Sequence, residues 1–401
     1  MKTNFFNSLK ITFSVVGAVI GAGFITGREI VRFFYGMPIF AAAGAEFLLF
    51  FSLFYFLLTV KDNAFFSRAV KFANVCVYII SFFIIASMLG ATDSLFFEAF
   101  GVPYEIPIGS IALLVFATAV CFGGIEKIEK ANGFIVPFMI LATVAVLIVF
   151  GEKSSQFVPF DAEAAASCVS YGAMNALLSQ PFFLKLKKGY TAVNVFKINK
   201  KANENAENKQ KISLKSEQIA TTAAKNSSED LEKAQAQRPF SPFLVSLFSS
   251  LALALLIALY LKSIDEYAAL KDVPVLFIAG NSAFLRIVIA GLIACGIITT
   301  QFSTEYPLVC LASKKKRSRL LLLVGAVAVF TVSRLGFYVI VDVIYPAVAA
   351  FAAIYYAVLI FATTVIFPLK SRINTSARRE RKGVSCSSLP NRGLKPARRK
   401  R

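Results

Sequence analysis

Residues 15–30 read Val15-Val-Gly17-Ala-Val-Ile20-Gly21-Ala22-Gly23-Phe24-Ile-Thr-Gly27-Arg28-Glu29-Ile30. The stretch is apolar up to Thr26 and turns charged at Arg28. Four glycines fall within eleven residues, and each weakens a helix by up to about 1 kcal/mol relative to alanine. Two readings follow. Gly17 and Gly21 form a small-xxx-small pattern that lets another helix approach closely. Alternatively, the helix is discontinuous near Gly21–Gly23. A break would free carbonyls on one side, which suit a cation, and N–H groups on the other, which attract a carboxylate.

The surrounding chain decides the solvent. Of 401 residues, 57% are apolar and only 16% are charged, against about 25% charged in soluble domains. A bilayer-spanning helix needs about 20 mostly apolar residues. Ten stretches qualify, at approximately Lys10–Phe34, Met37–Val60, Phe72–Gly90, Ile106–Gly123, Gly133–Phe150, Ala165–Leu184, Pro242–Leu261, Phe284–Leu311, Leu320–Leu335 and Tyr345–Phe367. The first has no small-residue cleavage site, so it is read as a helix and not a leader.

The net charge of +20 supplies the orientation. With the N-terminus inside, 36 of the 43 Lys and Arg residues fall on the cytoplasmic side and three on the outer side. Acids such as Asp93, Glu98, Asp161, Asp265 and Asp272 occupy the outer loops in this reading. The positive-inside rule therefore predicts a multi-pass plasma-membrane protein with both termini in the cytoplasm. Residues 185–239 read as a polar cytosolic insert unable to bury a core, disordered or weakly helical. Residues 370–401 form a basic cytosolic tail, attracted to anionic lipid headgroups. The tail lacks interleaved aromatics, so nucleic acid is not expected as a partner.

Several functional classes are disfavoured. There is no histidine, hence no imidazole base or histidine metal site. Cys76, Cys121, Cys168, Cys295 and Cys310 sit in apolar runs and Cys386 in the tail, with no CxxC pair to suggest zinc. No GxxxxGK[ST] loop, HExxH or GxSxG motif occurs, so neither an ATP-driven pump nor an enzyme is expected.

The sixth stretch carries Ser170-Tyr171-Gly172-Ala-Met-Asn175, which places polar groups and a glycine mid-span. Glycine-interrupted helices at matching positions in two halves point to a midplane solute site. The first and sixth of ten spans match if residues 1–150 and 165–367 are two five-helix repeats of opposite sense. In the eighth stretch, Gly296-Ile-Ile-Thr299-Thr300 offers hydroxyls suited to Na⁺, although such hydroxyls usually bond back to their own helix. Ionisable residues inside spans cost at least about 2.5–3.5 kcal/mol. Glu46 lies mid-way along the second stretch. Arg28, Glu29 and Arg32 follow the proposed break, and Glu29 and Arg32 are spaced to pair on one helix face. Glu29 and Glu46 are the candidates for proton coupling, each with a structural ion pair as the alternative.

The run from Gly17 to Glu29 resembles the first-helix signature of the YkvI-type bacterial membrane proteins, members of the amino acid–polyamine–organocation superfamily. That resemblance implies an all-α polytopic membrane protein of about ten transmembrane helices. They would form a LeuT-like 5+5 inverted repeat with discontinuous first and sixth helices. It further implies a solute lying against Ala22, Gly23 and Phe24, with Tyr171, Gly172 and Asn175 opposite. A Na⁺ site would use carbonyls of Gly17, Ile20 and Gly296 and the hydroxyls of Thr299 and Thr300. No other cofactor is implied. The expectation is a secondary transporter of a small solute, an amino acid or amine, coupled to Na⁺ or H⁺. The alternative is a solute sensor that signals through the cytosolic insert. The oligomeric state stays open.

Overall fold

In a computed structural model, residues 2–60, 62, 64–123, 125–151, 160–210, 240–313 and 318–366 are described. The tail, residues 370–401, and the later part of the insert, residues 211–239, lie outside them.

All ten apolar stretches fall on helices. The first is split into α1 (Lys2–Val19), α2 (Ala22–Ile25) and α3 (Arg28–Phe34). After Pro38 comes α4 (Ile39–Thr59), then α5 (Ala64–Phe100), α6 (Ile108–Phe122) and α7 (Ile125–Phe150). The second half holds α8 (Ala162–Gln210), α9 (Pro242–Ser263), α10 (Ala283–Ser313), α11 (Ser318–Ser333) and α12 (Tyr345–Phe361). A π-helical segment, Ile340–Ile344, leads into α12. Local chemistry marks the starts. Ser241 accepts from the Leu244 amide ahead of Pro242 at the first turn of α9, a usual N-terminal arrangement.

Six helices among the described residues are long and apolar enough to cross a bilayer: Ile39–Thr59, Phe65–Phe100, Gly133–Phe150, Pro242–Ser263, Ala283–Tyr306 and Phe337–Ile366. Ile108–Phe122 and Leu322–Ser333 are shorter apolar helices. The exterior is apolar as well as the core. Phe134 and Phe284 are 77% and 78% exposed, as are many other large apolar side chains. Water would not tolerate so large an apolar surface, but hydrocarbon does. The chain is a multi-pass membrane protein.

Packing divides the helices into two groups. α4 lies against α8 and α9, and α1 lies against α9 and α8. Separately, α10 lies against α5, α6 and α7, while α5 also contacts α6 and α11. The short α2 rests on α10, and α3 on α8. The split first span therefore sits where the two groups meet.

Two expectations are corrected. The sixth span is not discontinuous: α8 runs unbroken through Tyr171-Gly172. Gly172 is a lone helix breaker, and its missing side chain serves packing against Glu46 and Leu49 of α4. The third span is longer than its apolar stretch, so Asp93 and Glu98 lie within α5 and not in a loop. Asp93 can be helical and buried because it accepts from Arg334 (3.0 Å) and from the Ser110 amide (2.9 Å). α8 also continues to Gln210, so residues 185–210 prolong a helix, the helical one of the two forms expected of the insert.

Candidate functional site

The first span breaks twice, and each break has a local cause. At the first, the Ile20 amide still reaches the Val16 carbonyl (2.8 Å), but the Gly21 amide turns back to Val19 (2.8 Å). Gly17 thereby loses the amide that a continuous helix would supply to its carbonyl. The ladder resumes with the Ile25 amide on the Gly21 carbonyl (3.0 Å). At the second break Gly27 takes φ +81°, a region that disfavours other residues. Helix ends leave carbonyls without partners, and here other elements supply them. The Tyr260 hydroxyl donates to the Ile25 carbonyl (3.1 Å), and the Val275 amide donates to the Thr26 carbonyl (3.0 Å). The Thr26 hydroxyl donates to the Gly23 carbonyl (3.0 Å).

Tyr260→Phe should therefore cost about 1–3 kcal/mol, because it strands a buried carbonyl. Thermal unfolding of the purified protein in detergent checks it.

Glu29 folds back onto α2. A Cβ built on Gly23 would stand 2.1 Å from Glu29 Oε1, so only glycine leaves room for that carboxyl. The Tyr171 hydroxyl of α8 reaches Glu29 Oε2 at 3.5 Å, and Tyr345 lies within electrostatic reach of Glu29. The Tyr171 ring is fully buried and contacts Phe33, Phe34 and Phe50, with centroids 5.1, 4.9 and 6.3 Å away. Glu29 does not pair with Arg32, whose Nε turns to the Asp342 carbonyl (3.3 Å).

Of the residues expected at the solute site, Gly23 and Tyr171 meet through Glu29. Phe24 turns to Tyr260 (5.4 Å between centroids), Gly172 faces Glu46, and the Asn175 amide donates to the Tyr171 carbonyl (3.1 Å). Ala22 begins α2. Of the residues expected at a cation site, Ile20 lies at the first break, and Thr300 Oγ1 lies 3.6 Å from the Cβ position of Gly21. Gly296 receives Ile25, whose Cδ1 would be 2.2 Å from an added Cβ. Gly17 packs instead on Val136 of α7. The Gly296 carbonyl takes part in the back-bonding that was the alternative for these threonine hydroxyls. It accepts from Thr299 Oγ1 (3.1 Å) and Thr300 Oγ1 (2.8 Å), because α10 stays continuous there. Those hydroxyls keep lone pairs for a cation, but the carbonyl is shared.

A buried ionic cluster follows the second break. Arg28, 4% exposed, donates to Asp342 (2.6 Å) and to the carbonyls of Ala269 (2.9 Å) and Lys271 (3.3 Å). Its guanidinium lies over the Tyr338 ring. Asp342 sits in the π-helical segment, and such segments are frequent at functional sites. Elsewhere, Lys187 of α8 pairs with Asp62 and lies over the Phe66 ring. Sequence reasoning missed Tyr260 and Asp342. A single tyrosine late in α9 and a single acid in the connector Gly336–Ile344 were the available signals.

One curated relative bears on this geometry. Over 216 residues, 47% of this chain and 59% of the relative, the chain is 28% identical to the uncharacterized membrane protein YkvI of Bacillus subtilis (strain 168). The resemblance to the YkvI type therefore holds. The alignment spans under two thirds of YkvI, whose name assigns a membrane and no activity. No protein-family profile matches the chain.

Proposed function

We propose that this YkvI-type protein is a secondary transporter of a small solute, an amino acid or amine, driven by Na⁺ or H⁺ and working by alternating access. The observation that carries the reading is the doubly broken first span, with a buried carboxyl and a buried tyrosine meeting at its middle. Half-helices at mid-membrane present backbone groups and dipole ends to solutes and ions. Gly23, Phe24, Tyr171 and Asn175 are buried, as a closed state of such a transporter requires, and the Arg28–Asp342 cluster beside the second break would part on opening.

Helix packing supports two five-helix repeats of opposite sense. Exchanging the first and sixth, second and seventh, third and eighth, and fourth and ninth spans maps observed contacts onto observed contacts. The α4–α8 contact becomes α9–α1, α5–α6 becomes α10–α11, and α5–α11 becomes α10–α6. An odd number of spans per repeat inverts the second copy. The excess of basic residues on one side orients both termini to the cytoplasm of the plasma membrane, with the tail against anionic lipid.

Thr300 faces the first break and is the residue to test for Na⁺. Thr300→Ala should weaken Na⁺-dependent solute uptake into proteoliposomes by raising the Na⁺ concentration at half-maximal rate. An unchanged Na⁺ dependence at equal reconstitution rejects Thr300 as a ligand.

The sensor reading keeps one specific observation. α8 runs as a single helix from the site at Tyr171 to Gln210, a reach of about 58 Å at 1.5 Å per residue. A continuous helix of that length would carry a displacement at the site into the polar insert, with Pro181 as the position where it can bend. Saturable solute binding without flux would favour it.

A further inference from the structure

We infer that Glu46 is a proton-binding site, and that the proton it holds is what lets α4 close against α8. Glu46 lies near the middle of α4 and is fully buried. Neither carboxyl oxygen has a hydrogen-bond partner among the described residues. Oε2 would lie 3.2 Å from a Cβ on Gly172, and Leu49 Cβ 3.3 Å from it. Gly172 thus provides the seat for this carboxyl, as Gly23 does for Glu29.

The surroundings offer no compensating charge. From α8, Cys168 and Tyr171 lie within electrostatic reach. Through Tyr171 the nearest further ionisable group is Glu29 of α3, another acid. From α9, no charged residue occurs between Pro242 and Leu261. Its hydroxyls at Ser246 and Ser249 are buried and, like Glu46, without partners. Its one titratable group in that range, Tyr260, is committed to Ile25. Ion pairs elsewhere join Arg28 to Asp342, Lys187 to Asp62 and Arg334 to Asp93.

Burying an uncompensated ion costs several kcal/mol even after relaxation, whereas a neutral acid costs far less. The closed α4–α8 contact therefore accommodates the acid with its proton. When the helices part, water solvates the group and the proton leaves to that water. Re-closing requires a proton taken from whichever side then has access. In the transporter reading, on which the coupling but not the site depends, this makes H⁺ a driving ion and the α4–α8 seam its gate.

The test needs no solute. Full-length protein in liposomes at neutral pH should show the infrared carbonyl stretch of a protonated carboxylic acid in D₂O. Glu46→Gln should lower its intensity, and Glu46→Asp should keep it at a shifted frequency. Amide exchange in α4 and α8, corrected for intrinsic rates, should rise with pH in the wild type and stay low and flat in Glu46→Gln. Unchanged band intensity in Glu46→Gln, or the same exchange response in both proteins, would overturn the proposal. Because neither readout involves transport, an absence of flux would count against the transporter reading alone.

Discussion

Replacing Arg28 with alanine should open one end of the site. The change removes the Asp342 pair at 2.6 Å, two donors to backbone carbonyls and the stack on Tyr338 together. Breaking a buried pair costs about 3–5 kcal/mol because the surviving charge is left without compensation. Asp342 retains 18% of its side-chain exposure and can turn to solvent, so the lower end of that range, about 3 kcal/mol, is expected. The functional consequence should be larger than the thermal one. Labelling of Cys168 by a membrane-impermeant maleimide, with the other cysteines replaced, should rise severalfold. Asp342→Asn should give a smaller increase, because Arg28 keeps its bonds to Ala269 and Lys271. Equal, low labelling in all three proteins would show that the cluster is not a gate.

Gly23→Ala is the second large effect. The new Cβ would stand 2.1 Å from Glu29 Oε1 and 2.6 Å from its Cδ. The carboxyl cannot swing aside freely, because Glu29 is buried and held against Tyr171. Overpacking of this kind costs about 1–3 kcal/mol, and it expels Glu29 from the middle of the site. Solute binding should be lost along with stability. Adding Glu29→Ala to Gly23→Ala removes the clash, so the melting temperature should recover while binding stays lost. If the double variant regained both, Glu29 would be a packing residue. If the single variant bound normally, the carboxyl would lie outside the site.

The sequence showed the helices but not all of their ends. Apolar length is a strong signal, so all ten stretches lie on helices. The glycine density of residues 17–27 pointed to the first break, near Gly21, because weak positions so close together cannot sustain a helix; the second, at Gly27, was not foreseen. The same logic failed at Gly172. One glycine costs only about 1 kcal/mol, and the packing of α8 on α4 and α12 outweighs it. Helix ends were misplaced where polar residues sit inside helices. Asp93 looked like a loop acid because its partner, Arg334, lies 241 residues away. Glu29 and Arg32 are spaced to pair on one helix face, yet their contacts with Tyr171 and Asp342 were invisible to local spacing. Long-range partners are set by the fold and leave no trace in i, i+3 or i, i+4 patterns.

The central claim is that a solute crosses the bilayer at the broken first span. Its most direct measurement is uptake of a labelled amino acid and amine panel into proteoliposomes with imposed Na⁺ and H⁺ gradients. The prediction is saturable accumulation of at least one solute above protein-free liposomes, collapsing when the gradient is dissipated and lost in Gly23→Ala. Saturable binding of a solute to the protein, with no accumulation under any gradient, would contradict it.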